Sequence, residues 1–235
     1  VIDHESKQAE TKEFLSRIIE KRVQVVPFSG PFNYSSINNY GTTKANGELY
    51  TFLNNDTEII DGNWLGAMVA HAMRPQIGCV GTKLLFPDST IQHAGVILGF
   101  GGVAGHMFKG FPHDAEGYMS RLKLRQNLSA VTAACMMTRA EVFHDLGGFD
   151  ACNLPVAFND VDFCIRATEA GYRNLYLPEV TLIHKESASR GSDDSPEKIA
   201  RFTLEIEYMK RRWGELLQND PAYNPNLSHY HEDFS

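Results

Sequence analysis

The chain has 235 residues and a formal net charge of −7, with 43% hydrophobic and 22% charged residues. This composition is ordinary for a globular protein and excludes disordered, collagen-like and coiled-coil classes. The acidic balance argues against nucleic acid as a partner, because such binding needs a basic surface. No apolar run approaches the roughly 18–20 residues that span a bilayer. Four cysteines without a C-x-x-C pair indicate reduced thiols in a cytoplasmic protein, not a disulfide framework or a zinc site.

Apolar and polar segments alternate in the first half of the chain. Val1-Ile2-Asp3 is typical of the end of a buried strand, and a polar loop over 29–40 leads into a short helix. The pattern predicts helices over about 9–21 and 64–73, and strands over 23–28, 48–53 and 78–86.

The second half begins with a glycine-rich loop or small hairpin over 95–117, a length that is often functional. Thr138-Arg-Ala-Glu141 fits a capping box, and Ser195-Pro196 is typical of a helix start. Strands are predicted over 130–137, 174–177 and 180–183, and helices from 138 to 147, over about 160–170 and from 195 onward.

Strands that alternate with helices predict an α/β fold with a mainly parallel sheet flanked by helices. Without an internal repeat or linker we expect one domain over 1–235. Its core spans about 1–190, and an amphipathic helix and tail occupy 195–235. Ligands of such sheets bind beyond the carboxyl ends of the strands. Asp3, Asn54-Asn55-Asp56 and His184 all lie at such predicted ends.

Three of these polar groups have two interpretations each. Asp56 suits a hard cation such as Mg²⁺ or Mn²⁺, but Asn and Asp are also common in turns and caps. Asp160 at a helix start could be a general base, or it could complement the helix dipole together with Asp162. His184 could bind a metal or be an ordinary core or surface histidine.

Taken in order, the motifs resemble the inverting glycosyltransferases of family 2, which have the GT-A fold. They also resemble the branch found in bacterial O-antigen and cell-surface polysaccharide enzymes, and the likeness covers essentially the whole chain. The segments that carry it include Val1-Ile-Asp3, Phe52-Leu-Asn-Asn-Asp-Thr-Glu58, Gln92-His-Ala-Gly-Val96, Gly147-Gly-Phe-Asp150, Asn159-Asp-Val-Asp162, Leu182-Ile-His184 and Asp220-Pro-Ala-Tyr-Asn-Pro-Asn-Leu227.

The resemblance implies roles for the residues at the donor site. Asp3 would contact the nucleobase of a sugar donor. Asp56 would be the main ligand of a divalent metal, Mg or Mn, and His184 a further ligand. Asn54 or Asn55 would contact the ribose or the donor sugar. Asn54 stands where the family's D-x-D motif has its first acid, which removes one charge from the metal site.

The resemblance also implies roles for two further residues, one at the acceptor and one at the donor. Asp160 would be the general base that removes a proton from the acceptor hydroxyl, although the family's preceding Glu is Asn159 here. Arg190 would reach the donor pyrophosphate, a role that suits a planar guanidinium.

The implied function is hexosyl or deoxyhexosyl transfer from a UDP-, dTDP- or GDP-sugar to a glycan or lipid-linked glycan, in polysaccharide or O-antigen biosynthesis. Peripheral association with the inner face of the membrane is a further expectation. Two alternatives remain open, a noncatalytic nucleotide- or carbohydrate-binding module and a nucleotidyltransferase. Gly147-Gly-Phe-Asp150 and the late His184 argue against the second alternative.

The family's first strand and helix precede the position of Val1, so we expect an N-terminally incomplete GT-A fold. The first strand would then lie at an exposed sheet edge or pair with a second copy, because an open edge recruits partners. The isolated chain would be weakly active or inactive.

Overall fold

The computed structural model describes residues 1–18, 23–185, 195–231 and 233–234. Eleven strands lie in this part of the chain: β1 (Ile2–His4), β2 (Val26–Phe28), β3 (Leu49–Leu53), β4 (Thr57–Ile59), β5 (Ile77–Leu85), β6 (Ile91–His93), β7 (Val96–Leu98), β8 (Ala104–His106), β9 (Gln126–Leu128), β10 (Cys135–Arg139) and β11 (Arg173–His184). The α-helices described are α1 (Ala9–Arg17), α2 (Tyr34–Thr42), α3 (Trp64–Ala72), α4 (Ala140–Asp145), α5 (Asn159–Glu169) and α6 (Pro196–Gln218). None of these helices is both long and apolar enough to cross a bilayer.

A seven-stranded mixed sheet forms the centre of the fold, with the order β3-β10-β5-β11-β4, while β6 pairs with β5 and β9 with β11. The α/β class is therefore confirmed, and the sheet is mixed. Within this sheet only β5 and β11 pair in parallel. The pairing is mostly antiparallel because β10 lies between β3 and β5 and runs against both. The long loop before β10 gives no sequence signal of strand direction, which explains why the predicted sheet was too parallel.

The first two strands form a small parallel sheet of their own. Ile2 pairs with Val26 and Asp3 with Pro27, and β1 has β2 as its one partner among the described strands. In the central sheet, β3 is an end strand with β10 as its one described neighbour. Pairing with a second copy stays a prediction.

Apolar packing covers both faces of the central sheet. On β10, Met136 points into one core cluster, whereas Cys135 and Met137 point into another, as the pleat of a strand requires. The first cluster receives α5 and α6, and the second receives α3. The sheet is therefore fixed between helices, and its strand ends are held in register.

Several predicted elements differ in detail from the structure. The two strands predicted over 174–183 are one strand, β11, with an irregular register between Leu177 and Thr181. Ser195 caps α6 by accepting a hydrogen bond from the Lys198 amide at 3.3 Å, as predicted. The prediction of a capping box at 138–141 is wrong, because α4 starts after Arg139 and has no side-chain cap.

Candidate active site

A cleft of about 210 Å³ lies at one edge of the central sheet. Since β3, β5 and β11 run in the same direction, their carboxyl ends meet at this edge, beside the start of the antiparallel β10. The lining residues are Tyr34, Asn54, Leu84, Gln92, His93, His106, Lys109, Thr132, Ala133, Ala134, Val156, Asn159, Asp160 and His184.

His184 at the end of β11 lies against the residues that follow β3. Its Nε2 is 3.0 Å from Oδ1 of Asp56 and 3.2 Å from Nδ2 of Asn54. Lys185 donates its backbone N–H to the carbonyl of Asp56 at 2.9 Å and so joins the two strand ends. The geometry places Asn54, Asp56 and His184 at one edge of the sheet as predicted, whereas Asp3, predicted to lie there too, belongs to the separate β1–β2 sheet.

Gln92 on β6 sets the orientation of the His184 ring. Its Oε1 is 2.7 Å from Nδ1 of His184, and its Nε2 donates to the His184 carbonyl at 3.3 Å. The second bond fixes which end of the amide faces the ring, so Nδ1 carries the proton and Nε2 presents a lone pair. That lone pair faces the carboxylate of Asp56.

The Asp56 carboxylate and Nε2 of His184 lie 3.0 Å apart, a contact that either a proton on Nε2 or a metal ion bound by both groups satisfies. Oδ1 of Asp56 is buried and makes no hydrogen bond with the described residues. Two ligands about 2.1 Å from one ion at right angles are about 3 Å apart, so Asp56 and His184 fit a hard divalent metal. No group of three or more His, Cys, Asp or Glu suited to a metal occurs in the described ranges. The remaining ligands would be water or substrate phosphate oxygens, as is common for Mg²⁺.

Asp160 also lines the cleft, from the first turn of α5. Its Oδ2 accepts a hydrogen bond from the Ala133 N–H at 2.9 Å, and its Oδ1 accepts one from the Val161 N–H at 2.9 Å. Burial raises the pKa of Asp160, although these backbone hydrogen bonds and one from the Thr132 side chain oppose the increase. A fixed carboxylate with a raised pKa suits a general base near neutral pH.

The neighbouring Asp162 has a different environment. It is fully buried, pairs with Arg166 at 2.8 Å and accepts a hydrogen bond from Nε1 of Trp213 at 2.9 Å. Arg212 lies 3.3 Å from the same carboxylate. These contacts tie α5 to α6, so Asp162 stabilises the helix pair and Asp160 alone of the two faces the cleft.

The segment over 132–134 forms the wall between the two ends of the cleft. The Tyr34 hydroxyl donates to the Ala133 carbonyl at 2.9 Å, and the Asn54 N–H donates to the Ala134 carbonyl at 3.0 Å. On the other side, Nε2 of His93 accepts from the Thr132 N–H at 3.4 Å. This wall therefore fixes the position of Asp160 relative to the end of β3.

A histidine pair in the cleft was not predicted as part of the site. Nδ1 of His93 is 2.7 Å from Nδ1 of His106, so His93 donates this hydrogen bond while its Nε2 accepts the one from the wall. Burial, followed by the charges of His106 and His184, lowers the pKa of His93 well below its usual range, which keeps His93 neutral. Both residues lie in segments whose sequence spacing matches no ligand motif, so only the folded hairpin brings them together.

Glu205 of α6 was also missed, because its position in an amphipathic helix looks like an ordinary surface acid. Its side chain is buried, and Oε1 accepts hydrogen bonds from the backbone N–H groups of Val156 at 2.7 Å and Ala157 at 2.9 Å. This segment lines the cleft and leads into α5 through Phe158, whose φ is 59°. Glu205 therefore holds the chain that positions Asp160.

Replacing Glu205 by Ala is expected to lower the free energy of unfolding by about 1–3 kcal/mol, because two partly buried N–H groups lose their acceptor. Urea denaturation measures the change. The matched control is Glu207→Ala, on the same helix but outside this contact, which should change stability by no more than about 0.5 kcal/mol. Equal stabilities of the two variants would contradict the role of Glu205.

Two predicted site residues do not line the cleft, and a third is not among the described residues. Asp3 lies in β1 of the small β1–β2 sheet and does not line the cleft. Its Oδ1 accepts a hydrogen bond from the Ser6 N–H at 3.1 Å. Asn55 is exposed between Asn54 and Asp56. Arg190 falls outside the described residues. The roles of these three residues stay predictions.

Comparison with solved structures identifies the fold. The chain superimposes on GalNAc-T7 with UDP, GalNAc and Mn²⁺ with a TM-score of 0.65 and 16% identity, over 96% of this chain and 45% of that one. It superimposes on the mannosyltransferase PcManGT of Pyrobaculum calidifontis, in complex with GDP-Man and Mn²⁺, with a TM-score of 0.59 and 14% identity, over 92% of this chain and 58% of that one. The fold is GT-A, as predicted.

Sequence comparison gives the family. The sequence pattern of glycosyltransferase-like family 2 matches residues 2–201, and the chain belongs to this family. It is 50% identical over 236 residues to the uncharacterized protein y4gI of Sinorhizobium fredii, and 40% identical over 232 residues to the O-antigen biosynthesis protein RfbC of Myxococcus xanthus. These alignments cover 100% and 97% of this chain, but it spans only 26% and 18% of the two relatives.

Proposed function

We propose that the chain transfers a sugar from a nucleotide-sugar donor to a hydroxyl group of a glycan or lipid-linked glycan, with inversion at the anomeric carbon. The observation that carries this proposal is one cleft lined by both His184, which contacts Asp56 at 3.0 Å in a metal-suited pair, and a general-base candidate, Asp160. Family membership and the 40% identity to an O-antigen biosynthesis protein support a role in cell-surface polysaccharide synthesis.

The residues of the cleft divide the work of such a reaction. Asp160 accepts the proton of the acceptor hydroxyl as its oxygen attacks the anomeric carbon and the bond to the nucleoside diphosphate breaks. Asn54 contacts the ribose or the sugar of the donor. A divalent metal held by Asp56 and His184 would neutralise the charge that develops on the departing diphosphate. One displacement of this kind inverts the anomeric centre.

A donor screen tests the proposal. The chain is incubated with UDP-, dTDP- and GDP-sugars, with Mn²⁺ or Mg²⁺ and with EDTA, and release of the nucleoside diphosphate is measured. We expect metal-dependent release from one donor class that rises when a glycan acceptor is added. Binding without release from any donor would instead support the noncatalytic module. If the chain shows no binding and no release with any donor, both the transferase and the noncatalytic module are contradicted.

The contact between Gln92 and His184 gives a second prediction. Gln92→Leu removes the acceptor that holds the Nδ1 proton, so the ring can rotate or change tautomer, and affinity for Mn²⁺ should fall roughly 10- to 100-fold. Calorimetric titration of the chain with Mn²⁺ alone measures the effect, with the exposed Gln218→Leu as the matched control. Gln92→Glu, which restores an acceptor, should recover part of the affinity. Unchanged Mn²⁺ affinity in Gln92→Leu would show that another group orients the ring.

A further inference from the structure

A second cavity, of about 310 Å³, lies beside β5 and the irregular part of β11 and shares no lining residue with the cleft. Lys83 lines this cavity, whereas the next residue on β5, Leu84, lines the cleft, since successive strand residues point to opposite faces. The other lining residues are His113, Lys123, Pro178, Glu179 and Thr181. Nothing in the proposed transfer reaction uses them.

Lys83 is a buried cation with little compensation. Its side chain is only 5% exposed, and its ammonium group donates one hydrogen bond at the limit of the usual range, 3.5 Å to the His113 carbonyl. No ion pair to Lys83 occurs among the described residues. An ammonium group has three donors, so at least two remain available toward the cavity.

The acid in the cavity wall does not supply the missing charge. Glu179 pairs through Oε1 with Nε of Arg125, and both side chains are partly exposed to solvent. It lies in the irregular part of β11, between Leu177 and Thr181, where the strand departs from its register with β5. The balance of Lys83, Lys123, Arg125 and Glu179 around the cavity is therefore positive.

The electrostatics agree with this geometry. Burial, followed by the charge of Lys123, lowers the pKa of Lys83. A second cation thus raises the cost of the buried charge, where a structural lysine would normally have a carboxylate partner. An anion in the cavity would relieve both effects at once.

We propose that this cavity binds a small oxyanion, a phosphate or a carboxylate group, with Lys83 as its buried partner and the exposed Lys123 at the entrance. The volume is at the lower end of the range for small-molecule sites. It therefore suits a free phosphate ion or a single sugar that bears a carboxylate. The site is separate from the cleft and does not depend on the proposed transfer reaction.

Calorimetric titrations of the whole chain test the site. Inorganic phosphate is used in one arm and glucuronate in the other, both in EDTA and at constant ionic strength. We expect saturable binding of at least one of them, which identifies the phosphate or the sugar carboxylate as the source. Lys83→Met should weaken this binding at least about tenfold, because a charge-assisted bond is lost. Lys109→Met, which alters the cleft, should leave it unchanged.

A second variant keeps the test valid if Lys83→Met does not fold. Lys123 is exposed, so Lys123→Met should fold normally and weaken binding by a smaller factor. The proposal is overturned if neither anion binds saturably, if a folded Lys83→Met binds as well as the wild type, or if Lys109→Met is the variant that loses binding. Unchanged anion affinity in Lys123→Met would also contradict the proposal, because the site is assigned to both lysines.

Discussion

Asp160→Asn is expected to lower the rate of sugar transfer by about 10²- to 10⁴-fold, the usual cost of losing a general base. Asn keeps the shape of the side chain and can still accept a backbone hydrogen bond, so affinity for the donor should be nearly unchanged. The measurement is initial transfer rate at saturating donor, together with donor binding by calorimetry.

The pH profile separates a base from a merely structural acid. Because burial raises the pKa of Asp160, its carboxylate takes up a proton at a higher pH than an ordinary aspartate. The wild-type rate should therefore fall as the pH decreases through this raised pKa, and the residual rate of Asp160→Asn should lack that decrease. An unchanged acid limb in the variant would place the base elsewhere.

Asp162→Asn is the matched control, two residues further along the same helix. Its carboxylate contacts Arg166 and Trp213 and does not line the cleft. Breaking a buried pair should destabilise the fold by about 3–5 kcal/mol, but the folded fraction should keep its acid limb and its rate. Loss of rate in both variants per folded molecule would contradict the assignment to Asp160.

The sequence was sufficient for the α/β fold class and for the strand ends that carry Asn54, Asp56 and His184. Apolar strands that stop abruptly at polar residues mark these ends, and strands in the same direction place them at one edge of the sheet. Ser195 was also predictable, because a cap followed by proline acts locally. These signals depend only on residues that are close in the sequence, so they can be recognised without knowing the fold.

Contacts distant in sequence could not be predicted in the same way. Gln92 meets His184 across 92 residues, and Glu205 meets Val156 across 49 residues. Neither spacing has a sequence signature, since each depends on how a hairpin or a helix packs on the sheet. The antiparallel direction of β10 is of the same kind, because the loop before it permits either direction.

Asp56→Ala is expected to abolish most of the metal-dependent affinity for a nucleoside diphosphate. Loss of an outer-shell partner typically costs roughly 10- to 100-fold in metal affinity, and loss of a direct ligand should cost at least as much. Asn54 in place of an acid leaves Asp56 as the carboxylate at this point, so no neighbouring charge replaces it. Calorimetry with UDP, dTDP and GDP, in Mn²⁺ and in EDTA, measures the change.

The control for Asp56→Ala is Glu58→Ala, two residues along the same segment. Glu58 is exposed and pairs with Lys185 at 3.4 Å, outside the contact with His184. We expect Glu58→Ala to bind the nucleotide like the wild type, and EDTA to reduce the wild type to the level of Asp56→Ala. Equal nucleotide affinity in Mn²⁺ and in EDTA would contradict the metal site. Of these two acids Asp56 alone contacts Nε2 of His184, so a loss in Glu58→Ala equal to that in Asp56→Ala would reduce the effect to general surface charge.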